Sequence, residues 1–281
     1  MGETYLDIVS PHCILVVGKR GTGKSYTLGV IAEGFAKLKK EYRDRISLIL
    51  VDTMSVFHSL KKRNTNDVEI ERMGDFGIGP ENFEKDVRVL VPKAAIDAAE
   101  SNGRDIFYDE ELLIQLSDVE IHEWLEFFDF EITDEVGVLL SKVITELKGD
   151  GDYSFKDIYD EIGCIGMKKE VKEALKNQFK MIEDLELFSK KGMDGSIAQG
   201  GKITVLDISY LGRLGKYQLR NLILSIFARK QLADRTLSTT IEMQSQADLI
   251  DGDPSKDITE DHPLIYMLID EAHLFLPNGD E

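Results

Sequence analysis

Apolar residues follow two alternating rhythms over residues 5–98. Short continuous runs, "CILVVG" ending at Gly18, "ISLILVD" at 46–52 and "VRVLVP" at 87–92, read as buried strands. A strand covered on both faces has no polar positions to alternate. Between the first two runs, Leu28, Ile31, Ala32, Phe35 and Leu38 share one face at helical spacing. Strands separated by helices predict an α/β fold with a mainly parallel sheet flanked by helices.

From about residue 100 to 198 the rhythm becomes helical throughout. Ser117 and Glu120 carry the spacing of a capping box, and Ile121, Trp124, Leu125 and Phe128 follow on one face. Val136, Leu139, Leu140, Val143, Ile144 and Leu147 repeat the stripe. Ser154 can cap a further short helix, and Val171, Leu175, Ile182 and Leu185 line a longer one. Trp124 and the nearby phenylalanines sit at core spacing, which reads as helix core rather than a platform for stacked bases. The expectation is an all-helical insertion at 100–198 between two parts of a core, 1–99 and 199–281. "KITVLDI" at 202–208 returns the chain to the sheet, and Leu219, Leu222, Ile223, Ile226 and Phe227 mark the helix after it. The polar stretch "SQADLIDGDPSKDITEDH" reads as a solvated loop, lacking the glycine and glutamate a calcium loop requires. "PLIYMLID" is the last strand.

The sharpest chemical signal is "GKRGTGKS", Gly18, Lys19, Arg20, Gly21, Thr22, Gly23, Lys24 and Ser25, with Tyr26 following. It fits the phosphate-binding loop G-x-x-x-x-G-K-[ST] in full, between a strand-like run and a helix. Glycines let backbone N–H groups turn inward around phosphates, and the helix N-terminus adds partial positive charge. Lys24 is expected to reach the β- and γ-phosphates of ATP, and the Ser25 hydroxyl to ligate Mg²⁺. Arg20 is either an exposed loop arginine or a further phosphate contact.

Such a loop needs a carboxylate at the end of a neighbouring buried strand to hold the metal. Asp270, closing the run from Leu264, fits, and Glu271 beside it can polarise a water for attack on the γ-phosphate. Residues 264–271 thus read as the acidic partner of the loop at 18–25. Asp52 and Asp207 also end strand-like runs, and each either approaches the nucleotide or serves as a turn residue. His273 either couples the nucleotide state to a neighbour or is simply a packed loop histidine.

Charge narrows the partners. The formal net charge of -18 disfavours nucleic-acid binding over the whole surface, leaving contact through local basic clusters: Lys61-Lys62-Arg63, Lys190-Lys191 and Arg229-Lys230. No run of about 18 apolar residues is present and the N-terminus has no signal-peptide pattern, so a cytoplasmic protein is expected. Cys13 and Cys164 read as buried thiols without metal-ligand spacing.

The letters Asp-Glu-Ala-His at 270–273 evoke DEAH-box helicases, but there the acidic box follows the loop lysine at far shorter range than from Lys24 to Asp270. The order of elements instead resembles the HerA-like branch of the HerA–FtsK superfamily of ring-forming P-loop ATPases. The resemblance rests on "VVGKRGTGKSYTLGVIAE", "LILVDTMSVF", "LELFSKKG", "KITVLDISYLG" and "LIDEAHLFLP". It implies a RecA-like P-loop core and ATP-driven movement along double-stranded DNA by a homohexamer, often paired with a nuclease. By matching position Lys24 and Ser25 are the Walker A pair, and Asp270 and Glu271 the Walker B pair. The chain departs from the branch in three ways. Only 17 residues precede Gly18, where many members carry a β-barrel; "DTMSVF" replaces a histidine-glycine-glutamate turn; and the γ-phosphate sensor and later arginines are not found before Glu281. A sheet left incomplete at its C-terminal side, in a fragment or in a chain completed by a partner, is therefore expected. Two other functions stay open on these residues: a nucleotide-switched regulator of proteins, and an ATP-binding fragment without motor activity.

Overall fold

Residues 12–193, 195–213, 217–250 and 263–275 are described by the computed structural model. In chain order the first elements are α1 (Lys24–Ala36), α2 (Lys40–Arg43), β1 (Ile46–Asp52), α3 (Asp67–Gly74), β2 (Val87–Val91), α4 (Lys93–Ser101), β3 (Glu110–Glu111) and β4 (Ile114–Gln115). Four helices follow, α5 (Ile121–Phe128), α6 (Glu135–Asp150), α7 (Phe155–Cys164) and α8 (Lys169–Glu183). The remainder is β5 (Phe188–Ser189), β6 (Ile203–Asp207), α9 (Ser209–Arg213), α10 (Tyr217–Ile250) and β7 (Leu264–Ile269).

The continuous apolar runs take the inner places in the sheet. β1, β2 and β6 are buried at every position, and the five-stranded sheet has the order β3-β2-β6-β1-β7 with every pairing parallel. β7 pairs with β1 from Ile46↔Leu264 to Val51↔Ile269. Its alternate residues serve opposite faces. Leu264, Tyr266 and Leu268 pack with Ala32 and Phe35 of α1, whereas Ile265, Met267 and Ile269 pack against the core that continues into α5–α8. All six are only half-buried, because among the described residues no strand pairs with the other edge of β7.

One apolar run departs from expectation. Residues 13–17 do not form a strand: they pair with nothing in the sheet, and Ile14, Leu15 and Val17 are 57%, 78% and 80% exposed. An apolar run becomes a strand only where a neighbour accepts its backbone hydrogen bonds.

Helices α5–α8 bury the stripes expected of them, and Phe179 joins Val171, Leu175 and Ile182. Trp124 is fully buried, stacked on Phe128 at 5.5 Å and meeting Phe179 edge-on at 5.3 Å. It is core, not a platform. β4 and β5 pair beneath these helices, bringing Ile114 beside Phe188. Glu123 fastens the unit to α10, accepting from Arg229 Nη2 at 2.9 Å, Ser225 Oγ at 2.9 Å and the Glu120 N–H at 2.8 Å.

The stretch 100–198 is not all-helical: β3 joins the main sheet beside β2, and β4 pairs with β5, because their backbones meet partners that the helical stripes do not reveal. Three further details differ from expectation. The capping box of α5 is Glu120 with Glu123, while the Ser117 hydroxyl bonds Asp152 instead. A turn of 3₁₀ helix at Leu116–Asp118 carries Ser117 away from the helix start. Residues 245–250, read as loop, continue α10; the rest of that polar stretch, 251–262, lies outside the described residues. Cys13 and Cys164 are exposed, Cys13 in the unpaired segment and Cys164 in the last turn of α7. The cap at Ser154 is present, with Asp157 as its reciprocal partner.

Candidate functional site

Gly18–Ser25 forms a loop ending in α1, whose N-cap Gly23 is left-handed at φ 93°. Gly21 also has a positive φ, 79°, so both glycines occupy backbone conformations that side chains resist. A Cβ on Gly18 would collide with the Thr22 hydroxyl. The loop is closed by a single acceptor, the Lys19 carbonyl. It receives Thr22 N–H at 3.2 Å, Thr22 Oγ1 at 2.7 Å and Lys24 Nζ at 3.2 Å. The Lys24 ammonium thus lies across the mouth of the loop. Lys19 and Arg20 are exposed, and Tyr26 points outward at 70% exposure.

Ser25 crosses to the far end of the chain. Its hydroxyl donates to Asp270 Oδ1 at 3.0 Å, and the Asp270 N–H donates to the Val51 carbonyl at 3.1 Å. Asp270 is 3% exposed, and its Oδ2 has no hydrogen-bond partner among the described residues. A buried carboxylate oxygen without a donor costs a few kcal/mol unless something positive meets it. The pair of hard oxygens, hydroxyl and carboxylate, suits Mg²⁺, which takes one or two protein ligands together with substrate phosphates. Among the described residues no cluster of three or more His, Cys, Asp and Glu could hold a metal by itself, so the nucleotide would have to complete the set.

Glu271 sits in the left-handed region at φ 50°, the N-cap of a 3₁₀ turn at Ala272–Leu274. Strain of this kind in a non-glycine residue is commonly retained at sites of function. Its carboxylate is one-third exposed and stands 3.3 Å from His273 Nδ1. Phe275, just beyond, lines a cleft of about 310 Å³ between α5 and α10, so the chain after Glu271 touches the helical unit.

The other two strand-end aspartates converge on the same edge. Asp207 pairs in register with Asp52, and Asp270 follows the Ile269 that pairs with Val51. Three adjacent strands, β6, β1 and β7, therefore end in buried aspartates. Asp52 caps its own turn: Oδ1 accepts Met54 N–H at 3.0 Å, and Oδ2 accepts Val56 and Phe57 N–H at 2.8 Å each. Burial, and then the Asp207 carboxylate beside it, push Asp52 up to about 6 despite those bonds. Ser55, left-handed at φ 57°, closes the group by donating to Asp207 Oδ2 at 2.6 Å. Sequence reasoning missed Ser55. The signal available was a strand-terminal aspartate followed by a short polar turn, "DTMS", which marks side-chain-capped turns.

A family model described as "Helicase HerA, central domain" matches residues 3–227. The match covers the phosphate loop, Asp52 and Asp207, and stops short of Asp270. No curated protein matches the chain. Among the described residues no helix is long and apolar enough to cross a membrane.

Proposed function

Because the chain belongs to the HerA helicase central-domain family of P-loop ATPases, we propose that it is a motor subunit that binds Mg·ATP and couples its hydrolysis to movement on double-stranded DNA. The contact between Ser25 and Asp270, with the unpartnered Asp270 Oδ2 behind it, carries this reading. Ser25 and Asp270 would hold the Mg²⁺, which when bound neutralises charge developing on the phosphates. The backbone N–H groups from Gly21 to Ser25 cradle the phosphates, and Lys24 turns from the Lys19 carbonyl to the γ-phosphate. Glu271, directly after the metal-holding Asp270, takes the proton of the attacking water. The family relationship supports a homo-oligomer, a hexameric ring as the working form, with a nuclease among candidate partners.

Steady-state ATP turnover with and without duplex DNA, over protein concentrations that span ring assembly, tests the motor reading. Stimulation by duplex is the expected result, and equal turnover at every concentration would sink it. The net charge of -18 favours one competing reading, a nucleotide-switched regulator of proteins. That reading gains if nucleotide state changes protein association and duplex changes nothing.

A further inference from the structure

The three basic clusters of this acidic chain have different fates in the fold. Arg229 and Lys230 are consumed by Glu120, Glu123 and Asp118, which lock α10 to α5. Lys190 faces Asp157 at 4.0 Å, and among the described residues neither Lys190 nor Lys191 lies over an aromatic ring. Lys61-Lys62-Arg63 is different. Lys61 is neutralised by Asp109, but Lys62 is held by a ring: its Nζ lies 3.4 Å from the centroid of Phe107. A cation–π contact places an ammonium without cancelling its charge, so Lys62 is oriented and still fully available to an anion. Arg63 is exposed and makes no ion pair with described residues.

Aromatic surface lies with these cations. Phe107 is 48% and Tyr108 41% exposed, and the His58 ring stacks on Phe107 at 5.7 Å, nearly parallel at 6°. An exposed ring set among exposed cations suits a chain that presents phosphates and flat bases together. Both halves of the surface are rigidly mounted. Asp52 Oδ2 holds the N–H groups of Val56 and Phe57, where the 3₁₀ helix Phe57–Lys61 starts. Asp109 fixes the ring segment by exchanging backbone and side-chain bonds with Val89 of β2. Asp67 and Glu69 open α3 soon after Arg63, so the cationic strip is short, with room for only a few phosphates.

We propose that Lys62, Arg63, Phe107 and Tyr108 form a contact surface for nucleic acid, the cations on phosphates, Phe107 holding Lys62 in place and the Tyr108 ring on sugar and base. This rests on the reading of the chain as a DNA-directed ATPase and adds where the DNA is touched. It also adds a route for coupling, since Asp52, between the ends of β6 and β7, holds the turn that leads to Lys62.

The test is fluorescence anisotropy of the full chain with a labelled single strand and its matching duplex, titrated across salt. The Lys62→Glu/Arg63→Glu variant should bind at least tenfold more weakly, and its log–log salt slope should be smaller by about 1.4 to 1.8, the loss of two phosphate contacts. Tyr108→Ala should weaken binding with the slope unchanged. All of these side chains are exposed, so thermal midpoint and Mg·ATP affinity should stay as in the parent; a Lys62→Ala/Arg63→Ala chain repeats the test without added negative charge. Unchanged affinity and slope in both double variants, while the parent binds, would overturn the surface and leave the motor reading standing. Displacement of the strand by poly-glutamate at equal charge concentration would overturn the choice of nucleic acid over an acidic protein. No binding of either nucleic acid by the parent would overturn both.

Discussion

The Ser25 hydroxyl donates to Asp270 across 3.0 Å, joining residues 245 positions apart. Neither residue needs the other for local structure, since Ser25 lies in the first turn of α1 and Asp270 follows β7. What the contact does is bring a hydroxyl and an orphaned carboxylate oxygen to the end of the phosphate loop. Replacing Ser25 by Ala removes one hydrogen bond to a charged group and should weaken Mg·ATP binding roughly tenfold to a hundredfold. Lys24→Ala should be at least as damaging. Isothermal titration with a non-hydrolysable ATP analogue, with and without Mg²⁺, reads both. If Ser25→Ala leaves the Mg²⁺ dependence intact, the metal is not held there.

Glu271→Gln keeps the size of the side chain and removes its basicity. Turnover should fall by about 10²-fold or more, while nucleotide affinity stays within a few-fold of the parent. His273, 3.3 Å from Glu271, is mostly exposed, and His273→Ala should have a much smaller effect on turnover. Equal losses in the two variants would make the pair, rather than Glu271, the working unit.

Much of this was legible in the sequence, for identifiable reasons. β1, β2 and β6 are apolar at most positions, a composition that suits strands covered on both faces, although β7, apolar throughout, lies at the edge of the described sheet. The loop at 18–25 could be read because each of its letters answers a demand of phosphate geometry. The segment 13–17 misled because strand propensity is a statement about neighbours, and the sequence does not show which neighbours come alongside. Register was hidden for the same reason. That Asp207 stands beside Asp52, and that Ser55 then bridges to Asp207, depends on pairing between strands more than a hundred residues apart. The fates of the basic clusters likewise depend on which carboxylates the fold delivers to them.

Glu123 is 2% exposed and is kept charged by Arg229, Ser225 and the Glu120 backbone. Burial pushes its carboxyl up, but those bonds together hold it below the usual glutamate range. Removing Arg229 strands the carboxylate, whereas removing Glu123 strands a guanidinium that is one-third exposed and keeps the Asp118 carbonyl. Arg229→Ala should therefore cost more stability, about 2 to 4 kcal/mol, than Glu123→Gln, at about 1 to 2 kcal/mol. Urea unfolding monitored by Trp124 fluorescence, its ring packed against Phe128 and Phe179, measures both. The reverse order would mean that burial of Glu123 is relieved by water.

Asp52 provides the opposite sign of pH dependence. Its carboxyl is raised from an ordinary 3.8 to about 6, so the folded chain holds its proton where the unfolded chain has lost it. Between about pH 4 and pH 6 this group binds more proton in the native state, and its contribution to stability falls as pH rises through that window. The span, at about 1.4 kcal/mol per pH unit, amounts to about 3 kcal/mol at most. Above pH 6 the charged carboxylate stands beside Asp207, held among the described residues by backbone N–H groups and not by a cation. Asp52→Asn removes this titration and retains one oxygen for the turn, so the stability difference between parent and variant, measured by urea unfolding, should shift against the parent as pH rises from about 4 to about 6. Because Ser55 and Asp207 lie next to the same turn, the variant should keep the parent's far-ultraviolet circular dichroism if the amide still caps Met54 or Phe57. A parent–variant difference that does not change with pH would place the titrating proton elsewhere.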